Sequence, residues 1–219
     1  DAIQKEHADI VAITCMTPTF HGALEAAQIC KELGLTVVLG GSHISVYPKE
    51  SLQSEFVDFC IVGEGEYTMA ELVDALENNT DYSNIKGLGY KNGEEIVVNQ
   101  ARIVKDVDSL PFPAFHLLPM KKYSSVIGLH PVSTMISTRG CPYQCGFCFK
   151  QPSDRRFRTR NPQSVVDEME MLVEKYGVKE IMFYDDTITV RREHVVGICN
   201  EILKRGLKVK WESPTRVNL

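Results

Sequence analysis

Nowhere in the 219 residues is there a run of the ~20 consecutive apolar positions that would span a bilayer. No membrane span is therefore expected. A charged-then-apolar N-terminal segment of the secretory kind is also missing. The first residue is Asp1 rather than Met, which leaves room for a segment upstream. An excess of positive charge is missing too: the formal net charge is −5, which gives no electrostatic reason to expect nucleic acid as a partner. Seven cysteines, an odd number without a secretion signal, do not make a disulfide framework. A reducing, cytoplasmic setting is expected. No internal repeat or low-complexity segment is present. What remains is 43% hydrophobic and 24% charged, as in a globular protein, and is long enough for one large domain or two small ones.

The first eighty residues alternate strand and helix signals. Asp9–Thr14, Val37–Leu39 and Val57–Val62 are short apolar runs suited to buried parallel strands. Between the first two, Leu24, Ala27, Cys30 and Leu33 mark a helix face, with Gly34 placed to end it. After the third run, Met69, Leu72, Val73 and Leu76 mark another helix. This order predicts an α/β fold, a parallel sheet covered by helices on both sides. From residue 81 to 128 the rhythm breaks. Asn92-Gly93 signals a hairpin, and Pro111, Pro113 and Pro119 follow, so this stretch is expected as a hairpin and linker. Over 129–219 the alternation resumes. Strands are expected at Val132–Ser137, Ile181–Tyr184 and Leu207–Trp211. A helix capped by Asn161-Pro162 and closed at Gly177 lies between the first two, and one closed at Gly206 between the last two. Three such units in series can open a (β/α) barrel.

Three of the cysteines lie within eight residues, in Arg139-Gly-Cys141-Pro-Tyr-Gln-Cys145-Gly-Phe147-Cys148-Phe149. Clustered thiolates suit soft metals and iron–sulfur clusters. The spacing i, i+4, i+7 would also fit one face of a helix, but Gly140, Pro142 and Gly146 make a helix poor here and favour a loop. A structural zinc site, with His130 as a further ligand, is the sharper alternative.

A strand followed by C-x3-C-x2-C, with Phe147 just before the third cysteine, resembles the signature of radical S-adenosylmethionine (SAM) enzymes. The resemblance implies that Cys141, Cys145 and Cys148 hold a 4Fe–4S cluster with one iron open to SAM. It also implies a 5′-deoxyadenosyl radical made for C–H activation, an electron donor (a reductase, ferredoxin or flavodoxin) and a small-molecule substrate. Phe183–Thr187 resembles an Asp-Asp element of one large branch, in which Asp185 and Asp186 meet the SAM ammonium. Capping of the following helix is the plainer role for this pair. Arg216 matches a position that meets the SAM carboxylate, or else is a surface arginine. The basic run Lys150, Arg155, Arg156, Arg158 and Arg160, opposed only by Asp154, either receives a substrate anion or is solvated.

Thr14-Cys15-Met16, Gly40-Gly41 and Gly63-Glu-Gly-Glu66 resemble the cobalamin-binding half of a combined B12-binding radical SAM branch. That branch includes methyltransferases and anaerobic porphyrin cyclases. On this resemblance Thr14, Met16, Gly40, Gly41 and Gly63 line a corrinoid. The Asp-x-His-x-x-Gly element that gives cobalt an axial histidine is absent, and His7, His21 and His43 do not fit it. The implied architecture is a Rossmann/flavodoxin-like B12-binding domain over 1–80, incomplete at its N-terminus, followed by the hairpin and linker over 81–128. The first half of a radical SAM TIM-type barrel then occupies 129–219. Radical SAM chemistry without cobalamin, as in methylthiotransferase-like proteins, and a non-catalytic corrinoid or metal module remain alternatives. No second cysteine trio supports the former.

Overall fold

The computed structural model describes residues 2–126, 128–148, 150 and 155–218. Phe149 and Asp154 lie outside the described residues. The chain forms two compact units, Asp1–Val104 and Lys105–Leu219.

In the first unit, a short α1 (Ala2–Lys5) precedes β1 (Ile10–Thr14), α2 (Phe20–Glu32) and β2 (Thr36–Gly40). Two short helices, α3 (Ser42–Val46) and α4 (Pro48–Gln53), lead to β3 (Phe59–Ile61), and α5 (Glu66–Glu77) follows. β1, β2 and β3 pair in parallel and in sequence order, with Thr14 opposite Gly40. Successive side chains of a strand point to opposite faces, and the two faces carry two cores. Val37, Leu39 and Cys60 pack with Ala23, Ala27 and Cys30 of α2 and with Ile44 and Leu52. Val38, Phe59 and Ile61 pack with Leu72 of α5 on the other face. Helices thus cover both sides of the sheet, as the alternation of apolar runs predicts.

The stretch 81–128 does not remain a separate linker. Its hairpin, β4 (Leu88–Asn92) and β5 (Glu95–Val98), adds to β3 antiparallel and completes a five-stranded sheet. An isolated two-stranded hairpin is marginal in water. Here Leu88 and Tyr90 gain burial in the α5-side core. Further on, Phe115 and Met120 are buried in the core of the second unit.

That unit contains β6 (Val132–Met135), a small antiparallel pair β7 (Thr138–Arg139) and β8 (Arg158–Thr159), then α6 (Pro162–Tyr176), β9 (Glu180–Phe183), α7 (Arg192–Arg205) and β10 (Lys210–Glu212). β6, β9 and β10 form a parallel sheet in the order β10-β9-β6. α6 starts where expected: the Asn161 side chain accepts from Gln163 N at 2.9 Å, with Pro162 at the first helical position. It ends at Gly177, whose φ of 68° is a left-handed cap. Its apolar face, Val165, Val166, Met169 and Leu172, packs with Ile181 and Phe183 of β9 and Ile198 of α7. Arg205 ties α7 to α6 through Asp167 and Glu170 at 2.7 and 2.9 Å.

Arg160, the last member of the basic run, is neither solvated nor facing an open site. It pairs with Glu168 of α6 at 2.5 Å, where only 2% of the Glu168 side chain is exposed. It also donates to the carbonyls of Ile136 and Ser164. Burial pushes the Glu168 carboxyl up, and the charge and hydrogen bond of Arg160 work against that push. Removing one partner of a buried pair leaves an uncompensated charge, worth about 3–5 kcal/mol. Arg160→Leu is therefore expected to destabilise the protein by that order, measured by urea unfolding. Adding Glu168→Gln to it should recover part of the loss.

Candidate functional site

In the second unit, β6 runs through Ile136 and Ser137 into β7, and the three-cysteine loop follows at once. The entry to this loop is held by a buried carboxylate. Asp185, just beyond β9, is 2% exposed. One of its oxygens accepts from the backbone N–H of Ser137 (2.7 Å) and of Thr138 (3.0 Å). The other accepts from Ser137 Oγ at 2.5 Å. His194 of α7 reaches the same hydroxyl through Nε2 at 3.1 Å and is buried as well. Burial raises the Asp185 pKa, and the hydrogen bonds from Ser137 and Thr138 oppose the rise. Burial lowers the His194 pKa, against the pull of the Asp185 and Asp108 carboxylates.

Asp186 is different. Its side chain is half exposed and pairs with Lys150, two residues beyond Cys148. The adjacent aspartates therefore do separate jobs. Neither is the N-cap of α7, which belongs to Arg191. Burial works against the Lys150 charge, but the hydrogen bond and charge of Asp186, with smaller contributions from the Cys141 and Cys148 thiols, leave its pKa raised. Asp185 and Asp186 also line a cavity of about 620 Å³ at the carboxyl ends of β9 and β10, with Tyr184, Glu212, Ser213 and Pro214. That volume suits a small-molecule ligand, and strand ends of this kind are where such sites form.

Cys141 is buried and lies 3.8 Å from Thr187 Oγ1, Cys145 is half-buried, and Cys148 is exposed. Cys148 N donates to Cys145 O at 3.0 Å, so the loop turns between them. Phe147 is 94% exposed. Arg216 lies over the Tyr143 ring, 4.1 Å from its centroid, and donates to Cys145 Sγ at 3.5 Å. Its guanidinium is thus placed on a cysteine sulfur. Among the described residues, no three His, Cys, Asp or Glu side chains are gathered as a metal site. The donors nonetheless suit a soft metal centre: three thiols in one loop with two cations, Lys150 and Arg216, beside them. Thiolates converge when a metal offsets their repulsion, and such sites are rarely preformed without it. The other cysteines are of a different kind. Cys15, Cys30 and Cys60 belong to the core of the first unit. Burial, with the Cys15 thiol adding to it and Lys91 opposing, pushes Cys60 up to about 12.

In the first unit, Thr14 ends β1, Gly40 ends β2, and Gly63 follows β3, so these residues share the carboxyl edge of the sheet. Met16, just beyond β1, is 61% exposed. The two glycines after β2 differ. At Gly41 φ is +100°, and a Cβ would sit 2.5 Å from Cys15 O and 2.8 Å from Thr14 Oγ1, so the fold itself demands glycine. At Gly40 a Cβ would meet nothing within 4 Å. Gly63 has φ +80°, donates its N–H to Ser45 Oγ and packs near Ala101. His43 was not singled out by its sequence context. It is buried, shares a hydrogen bond with Thr17 Oγ1 through Nδ1 (3.1 Å), and lies against the Phe20 ring with centroids 4.0 Å apart. Its Nε2 has no partner among the described residues. A buried nitrogen of this kind, on the helix that follows β2, fits a ligand at this edge. Ser137, His194 and Tyr143 also lacked a sequence signal, because their roles come from long-range packing.

Comparison with known proteins agrees with this division. Residues 1–73 match the model of the B12 binding domain, and residues 135–217 that of the Radical SAM superfamily. A protein named as an uncharacterized methyltransferase of Pyrococcus horikoshii is 35% identical over 221 residues, 99% of this chain and 48% of its own length. The anaerobic magnesium-protoporphyrin IX monomethyl ester cyclase of Cereibacter sphaeroides is 34% identical over 227 residues, 99% of this chain and 37% of its own length. The structure of OxsB, a cobalamin-dependent S-adenosylmethionine radical enzyme with aqua-cobalamin and S-adenosylmethionine bound, gives a TM-score of 0.79 at 19% identity. That match covers 96% of this chain and 31% of OxsB. The TsrM methyltransferase of Kitasatospora setae, with cobalamin and a [4Fe-4S] cluster bound, gives 0.64 at 20% identity, over 90% of this chain and 41% of TsrM. These two likenesses establish the fold. The chain spans about half the length, or less, of the curated relatives it matches.

Two outcomes test the buried network. Asp185→Ala strips the acceptor from two backbone N–H groups and a hydroxyl, and is expected to cost about 3 kcal/mol in urea unfolding. Burial favours the neutral form of His194, which faces Asp185, Asp108, Arg191 and Arg160. Its folded pKa lies below its unfolded value of about 6.5, so its contribution to stability is complete above that pH and declines as the pH falls below it. In His194→Gln this part of the acid-side decline should disappear from unfolding curves taken from about pH 8 down to 5.

Proposed function

We infer, for a chain that belongs to the radical SAM enzymes carrying a B12-binding domain, that the protein cleaves SAM reductively to activate a C–H bond. We further infer that it uses cobalamin for methyl transfer or oxidative cyclisation. The observation that carries this reading is the placement of three thiols in one loop at a strand end, beside two cations and an acid-lined cavity.

On this reading Cys141, Cys145 and Cys148 hold a 4Fe–4S cluster. A bound, reduced cluster supplies the single electron that breaks a C–S bond of SAM and yields the 5′-deoxyadenosyl radical. Asp185 holds the loop from within the protein and, with Asp186, lines the cavity that takes SAM. Asp186, half exposed at the cavity, takes the SAM ammonium in place of Lys150. Arg216 also meets the SAM carboxylate, and Phe147, beside the third cysteine, is a further SAM contact. A reductase, ferredoxin or flavodoxin delivers the electron. At the edge of the first unit, Thr14, Met16 and Gly40 meet the corrinoid, while Gly41 and Gly63 keep the backbone in the shape that brings them there. Cobalamin, when bound, supplies a cobalt centre for the methyl or cyclisation chemistry.

The full-length protein, reconstituted anaerobically with iron and sulfide, should show a dithionite-reducible cluster whose EPR signal changes when SAM is added. Cys145→Ala should lose it. A colourless zinc protein would end this reading. For the corrinoid, Gly40→Ala is expected to unfold like the wild type yet bind cobalamin about tenfold more weakly, a difference of ~1.4 kcal/mol. Gly41→Ala should instead lower the unfolding midpoint itself. Visible absorbance of retained corrinoid reads the first, and thermal unfolding the second.

A further inference from the structure

Arg216 has three neighbours: Asn218, whose Oδ1 accepts from its Nε at 3.2 Å, and two in the cysteine loop. Its guanidinium lies 4.1 Å from the Tyr143 centroid, close enough for strong cation–π attraction. Its Nη1 then points at Cys145 Sγ, 3.5 Å away. Tyr143 and Cys145 lie two residues apart in the same loop, so the ring that holds the arginine also sets its distance from the sulfur. A surface arginine or a pure carboxylate receptor would need no such sulfur contact.

We propose that Arg216, held over the Tyr143 ring, donates a hydrogen bond to the Cys145 sulfur of the bound cluster and raises the cluster's reduction potential. This rests on the reading of Cys141, Cys145 and Cys148 as cluster ligands. The step concerned is a one-electron reduction with no bond made or broken, the electron coming from an external low-potential donor. The reduced cluster carries one more negative charge than the oxidised one. A charged donor on a ligand sulfur therefore stabilises the reduced form more. Arg216 is a positioning and tuning residue in this role. It eases electron entry from the donor and leaves a smaller driving force for breaking the SAM C–S bond.

The test is a potentiometric EPR titration of the full-length reconstituted protein without SAM, poised with dithionite. Arg216→Gln should move the midpoint to more negative potential. Arg216→Lys, which keeps a charged donor without the planar fork, should fall between Arg216→Gln and the wild type. Tyr143→Leu, which frees the guanidinium, should shift the midpoint the same way, whereas Tyr143→Phe, which keeps the ring, should not. An Arg216→Gln protein with full iron and sulfide content and an unmoved midpoint overturns the proposal. So does an unmoved midpoint accompanied by weaker SAM binding, which would make Arg216 a SAM contact alone. Should Arg216→Gln fail to hold a cluster, Tyr143→Leu decides: a loaded cluster at the wild-type midpoint overturns the proposal. If the wild type itself forms no reducible cluster, the reading of the three cysteines fails, which is distinguishable because it appears before any variant is compared.

Discussion

One buried carboxylate organises the second unit. Asp185 spends both oxygens on the stretch between β6 and β7, taking the Ser137 and Thr138 N–H groups and the Ser137 hydroxyl. These groups lie just where the strand gives way to the cysteine loop, so they cannot all find partners in a ladder. A buried amide without an acceptor is costly. The carboxylate satisfies two of them and thereby fixes where the loop departs. The tie runs between the carboxyl ends of β6 and β9, and His194 adds α7 to it through Ser137. Three elements that meet only through tertiary contact are thus locked at the point from which the thiols project.

The first unit reaches a comparable end by geometry alone. Thr14 and Gly40 are register partners, so the β1 and β2 ends are level. Gly41 then lets the chain pass within contact of Cys15 without a side chain in the way. The backbone between these strand ends is bare because the fold needs it to be so at Gly41. At Gly40 the fold makes no such demand. A glycine explained by its own packing says nothing about a ligand, so Gly41 is spoken for by the fold and Gly40 is not.

Much of this is legible in the sequence, and the reason is locality. The cysteine spacing, the Asn161-Pro162 cap and the Gly177 and Gly206 stops are features of a few consecutive residues. The alternation of apolar runs likewise gives three parallel strands in each unit without knowledge of their neighbours. The hairpin at Asn92-Gly93 is readable as a hairpin but not as the edge of a sheet, since the partner β3 lies some thirty residues away. Asp185 and Asp186 read as one acidic pair. Only burial separates the residue that holds the loop from the one that pairs with Lys150. Arg160 likewise reads as one of several basic residues, until Glu168 on the next helix turns it inward.

The charges around the cysteine loop give the site its last constraint. Lys150 and Arg216 both sit beside thiols, and Asp186 is the acid paired with Lys150. Thiols that become thiolates on binding a metal add negative charge to this loop, and the two cations are already placed to offset it. On the proposed assignment, an ammonium arriving at Asp186 replaces one cation with another, so the acid stays paired. Lys150 is then free beside Cys141 and Cys148, where the negative charge has grown. The exchange keeps the local charge balanced throughout. In a partly buried site that matters more than the strength of any single contact, because an unpaired charge there costs more than an exposed pair gains.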